Sequence, residues 1–97
     1  MGAQGTATLD FGAFPGKSDA SVAVTGRTAV ASGSLVEAWM RLEATADHTA
    51  DEHFVEPIEI QAGNIIAGTG FTIYGINRTP IGDTLIYGQW TVGWVWN

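Results

Sequence analysis

The chain has 97 residues, 45% hydrophobic and 14% charged, with 13 glycines, four tryptophans and no cysteine. Four Lys and Arg against ten Asp and Glu leave a formal charge of −6, too few cations to neutralise a nucleic-acid backbone or to form a polybasic membrane patch. The length suits one domain over residues 1–97 with one core, and the missing cysteines remove disulfides, thiolate catalysis and Cys-type zinc sites.

Most runs along the chain alternate apolar and polar residues with period two, the pattern of half-buried strands. Ala7, Leu9 and Phe11 share one face, with Thr6, Thr8 and Asp10 between them. After the turn chemistry of residues 14–20, Ala20, Val22 and Val24 repeat the pattern, and residues 27–33 hold a short further strand. Ser34 to Leu42 reads two ways. As a strand it opposes Val36, Ala38, Met40 and Leu42 to Leu35, Glu37, Trp39 and Arg41; as a helix it stripes Leu35, Ala38, Trp39 and Leu42. The preceding Gly33 and the neighbouring strands favour the first reading.

Residues 44–53 lean towards helix, because Thr49 to Glu52 has capping-box spacing and Pro57 stops any long continuation. Strand character returns with Phe54, Ile58 and Ile60 on one face, and Glu56 intruding there. Residues 62–64 and 68–70 read as tight turns, and Phe71 to Ile76 is a dense β-forming run. The final run is the clearest strand. Ile86, Trp90, Val92, Trp94 and Trp96 face one way, and Leu85, Tyr87, Gln89, Thr91 and Val95 the other. Seven or so short strands predict an all-β fold, an antiparallel β-sandwich or jelly-roll-like barrel with one short helical turn around residues 46–53.

Met1 to Ala7 lacks both the basic and the apolar parts of a signal peptide. The stretch from Ile65 to Ile76 is broken by glycines and too short for a bilayer. A chain made in the cytoplasm, without a membrane partner, is therefore expected.

Two groups of residues deserve a chemical test. Six of the ten acids and both histidines lie between Glu43 and Glu59, and Asp47, His48, Asp51 and His53 could supply oxygen and nitrogen ligands to a metal. Their spacing is poor. His48 and His53 are five apart, so they do not share a helix face, and Glu52 stands where a calcium loop needs glycine. The plain alternative is a solvated acidic loop, and no cofactor is expected. No serine sits in a nucleophile-elbow pattern, and Gly68-Thr69-Gly70 lacks the lysine and helix of a phosphate loop. A catalytic role is not expected. Trp39, flanked by Glu37 and Arg41 on the polar face, suits a protein interface or stacking on a sugar ring. The alternative is that Trp39 only covers a sheet edge.

Residues 34–60 (SLVEAWMRLEATADHTADEHFVEPIEI), 68–75 (GTGFTIYG) and 87–96 (YGQWTVGWVW) together resemble small β-rich virion structural proteins of tailed bacteriophages. The resemblance implies a non-enzymatic homo-oligomer in the virion, foremost a head decoration or cement protein bridging subunits of the major capsid protein. A place on the tail or its tip, with Trp39 and the loop at residues 77–83 towards the host surface, is the second possibility, and a small carbohydrate-binding module the third. Physical chemistry leans the same way. A small β domain without staples has a marginal core, and symmetric assembly buries its edge strands. Net negative charge argues against contact with packaged DNA.

Overall fold

Alternation becomes strand in six places among residues 2–78 and 85–97, which the computed structural model describes. The strands are β1 (Ala3–Asp10), β2 (Asp19–Val24), β3 (Val36–Met40), β4 (Ile58–Ile66), β5 (Gly70–Asn77) and β6 (Gln89–Trp96), with one helix, α1 (Ala50–Val55). They form two three-stranded sheets, ordered β1-β6-β3 and β2-β5-β4, with every pairing antiparallel. The sheets lie face to face, β1 near β2 and β3 near β4. The fold is thus an all-β sandwich, and the two sheets stay separate rather than closing into a barrel.

Period-two side chains from both inner faces make the core. Leu9, Val92, Trp94 and Trp96 from one sheet meet Val24, Phe71 and Ile73 from the other, all buried. Burial of each such aliphatic or Phe side chain stabilises the fold by about 1.5–3 kcal/mol. Phe71 and Trp94 pack edge to face with centroids 5.7 Å apart, and the Arg27 guanidinium covers the Trp94 ring at 5.0 Å. β6 is the central strand of its sheet, and Asn97 exchanges two backbone hydrogen bonds with Leu35 just beyond it.

Four local expectations are corrected. Residues 27–33 form turns rather than a strand, although Val30 is buried and its carbonyl accepts from Gly68 N–H. Residues 62–64 lie inside β4, where a register irregularity between Gly63 and Ile66 puts Asn64 at φ 50°. Left-handed residues serve bulges as well as turns, which is why the sequence signal misled. Phe54 belongs to α1 and is 73% exposed, because the Thr49 cap starts the helix and carries it past residue 53. Leu42, expected on the core face, is 54% exposed because β3 ends at Met40. Of the loop at residues 77–83, positions 79–83 lie outside the described residues.

Candidate functional site

β3 leaves β6 after Arg41, whose N–H donates to the Thr91 carbonyl. From there back through the start of β6 to Tyr87, the backbone groups on this side need other partners. Side chains of residues 45–53 supply them. The Thr91 N–H donates to His53 Nε2 at 3.0 Å. The Gln89 N–H donates to Asp47 Oδ2 at 2.8 Å, and the Gln89 carbonyl accepts from Thr45 Oγ1 at 2.7 Å. The Tyr87 carbonyl accepts from His48 Nε2 at 2.7 Å. At Gly88, φ is 78° and a Cβ would stand 2.9 Å from Asp47, so glycine is what lets the carboxylate approach. The acidic segment is therefore a clamp that continues the sheet edge in side-chain atoms.

The capping box explains how the clamp is presented. Thr49 Oγ1 accepts from Glu52 N–H, and Glu52 Oε1 accepts from Thr49 N–H at 2.8 Å. The two histidines are then held by different partners. His53 Nε2 accepts from Thr91, so the proton sits on Nδ1 and is donated to the Thr49 carbonyl at 2.7 Å. Both His48 nitrogens lie against oxygens, Nε2 on the Tyr87 carbonyl and Nδ1 on Glu52 Oε2 at 3.1 Å. Trp90 lies between the histidines. His48 stacks on its indole with centroids 3.8 Å apart, and His53 meets its edge at 4.9 Å.

The Thr49 backbone N–H, then the His48 ring, hold the Glu52 carboxyl below its ordinary value of 4.5. A carboxylate with a depressed folded-state pKa adds stability that is complete above its unfolded value and lost as pH falls through the folded one. Thermal melting should therefore weaken on acidification below 4.5. Glu52→Gln should flatten that acid limb, as a series of melts against pH will read; equal slopes in both chains would remove Glu52 from the account.

Asp47, His48 and His53 are thus engaged by the clamp, while Asp51 sits exposed in the first turn of α1. Among the described residues no group of three His, Asp or Glu is placed to hold a metal ion. None of the clamp contacts was foreseen from the sequence, because each joins a side chain to backbone some forty residues away.

The expected interface residues do share one surface. Glu37 and Trp39 alternate outward on β3, and Arg41 follows its end, ion-paired to Glu43 at 2.9 Å. Trp39 lies opposite Gly93 of β6, and a Cβ there would stand 2.6–2.8 Å from indole atoms. The indole therefore fills the gap left by a glycine in a central strand, yet 43% of the residue stays exposed. Trp39 thus covers backbone of the central strand rather than a sheet edge, and part of its ring remains open to solvent.

The second sheet has a shallow outer groove of about 240 Å³ between Asp19, Glu59, Gln61, Tyr74 and Arg78. Three of its side chains pair, Arg78 Nε and Gln61 Nε2 both donating to the Glu59 carboxylate. No helix among the described residues is long and apolar enough to cross a membrane. The fold and these surfaces define an all-β sandwich with a half-exposed tryptophan face. Comparison with known protein families, with curated proteins and with solved structures finds no match to this chain.

Proposed function

We propose that this chain is a non-enzymatic structural protein of a tailed-phage virion, a homo-oligomer that decorates the head and bridges capsid subunits. The observation that carries the reading is the amount of large apolar surface left outside so small a sandwich. Phe14 is 78% exposed and packs edge-on against the half-exposed Tyr87, with centroids 5.4 Å apart. Leu35, beside Asn97, is 74% exposed, and Phe54 and Val55, consecutive on α1, also face outward. Single exposed hydrophobics are ordinary, and it is their grouping into a patch that favours docking. Burial at a subunit contact would return the free energy that an isolated domain leaves unused.

Purified particles provide the test. Quantitative mass spectrometry should find the chain at a high copy number, and gold-labelled antibody should mark the head. Its absence from particles would overturn the proposal, and labelling confined to the tail would move the protein there. Trp39→Ala should lower head occupancy by roughly tenfold or more, the scale of a buried aromatic anchor, with an unchanged circular dichroism spectrum. A second reading rests on Trp39 itself, whose ring is backed by Gly93 and offers a flat platform for a sugar. Glycan-array binding that disappears in Trp39→Ala would favour that reading instead.

A further inference from the structure

The first strand leaves one edge open. Leu35 and Asn97 exchange both backbone hydrogen bonds, so odd-numbered residues of β6 bond β3 and even-numbered ones bond β1. In β1 the residues facing those even positions are Ala3, Gly5, Ala7 and Leu9. The N–H and C=O groups of Gln4, Thr6 and Thr8 therefore point away from the sheet, where no strand among the described residues pairs with them.

The other three edges carry protection. β3 has only five residues and carries Glu37, β2 is six residues long, and β4 is interrupted by its irregularity at Gly63–Ile66. Short strands, charges and bulges are the usual means of discouraging a further strand. β1 has none of these over Ala3–Leu9: it is continuous in register, without lysine, proline or acid.

We propose that this edge is the self-association surface of the protein, taking β1 of a second copy antiparallel about a two-fold axis at Thr6. The inference rests on the homo-oligomeric reading above and names its contact. Only a second copy supplies an identical strand, and an antiparallel pair of identical strands closes with two-fold symmetry. Thr6 then faces Thr6, and Gln4 faces Thr8, all three being residues with outward backbone groups. Each facing pair exchanges two hydrogen bonds, and Thr opposite Thr is a favourable cross-strand pair. Charge selects the same register. Asp10, the one charge on the strand, turns its carboxylate onto Gly12 N–H at 2.8 Å and stays outside the paired stretch. Two chains of charge −6 thereby meet along an uncharged seam.

The test is the oligomeric state of the full chain by sedimentation across a concentration series. Thr6→Pro removes an N–H that β6 does not use, a position where an edge strand tolerates proline. Thr6→Lys sets two like charges directly opposite. Both variants should stay folded by amide NMR while the concentration for half-association rises at least about tenfold. Because the protein has no cysteine, Thr6→Cys should give a disulfide-linked dimer under mild oxidation, since facing Cα atoms about 5.5 Å apart suit the bond. Thr8→Cys, facing Gln4, should not. Wild-type association in both the proline and lysine variants would overturn this interface and leave assembly standing. A wild-type monomer at every concentration would overturn interface and homo-oligomer together.

Discussion

Replacing Trp90 by alanine is expected to cost about 3–5 kcal/mol, the range for removing a buried indole. A domain of this size holds roughly 5–15 kcal/mol in total, so the variant should lose much of its stability. The reason is the ring's position as well as its area. Trp90 is 2% exposed at the end of the inner face and stacks on His48, while its Nε1–H donates to the Tyr87 carbonyl at 3.1 Å. Alanine would leave a cavity and remove the surface on which the clamp rests. Denaturant titration followed by circular dichroism will read the midpoint. A cost below about 1.5 kcal/mol, the scale of a conservative core swap, would mean that Trp90 is not packed this way.

The second large effect separates the two histidines. His53→Leu keeps comparable bulk but leaves the Thr91 N–H buried without an acceptor, at a cost of about 1–3 kcal/mol. His48→Leu should cost less, although His48 is just as enclosed. Its removal leaves the Tyr87 carbonyl still bonded to Trp90 Nε1, and Glu52 still bonded to Thr49 N–H. Hydrogen exchange sharpens the distinction. The Thr91 amide should exchange much faster in His53→Leu, while in His48→Leu it should stay protected. The opposite order would show that the assigned His53 tautomer is wrong.

Much of the sandwich was legible because alternation is a strong signal where one face is buried. Leu9, Val22 and Val24 declare their faces, and the parity of Trp39 with Glu37 points it outward. The box from Thr49 to Glu52 was legible for a different reason: its donors and acceptors are three residues apart and need no tertiary context. The clamp was illegible on the same grounds. Nothing in the sequence says that Thr91 N–H will lack a strand partner until β3 is seen to leave at Arg41. The aromatic cover over Gly93 likewise depends on a register that pairs it with Trp39. A run rich in Asp and His resembles a metal site until its polar atoms are traced to the backbone they satisfy.

The clamp also bears on how such a surface can change over generations. A main-chain ladder is almost indifferent to side-chain identity, so one substitution seldom redraws it. Here the border of a sheet beside β6 is written in Thr45, Asp47, His48 and His53. Each contact is made by a single side chain, whereas the pairing of the two sheets is made by backbone. A single substitution at that end of the molecule therefore changes the border of the sheet, at a cost that depends on whether a buried backbone group loses its partner.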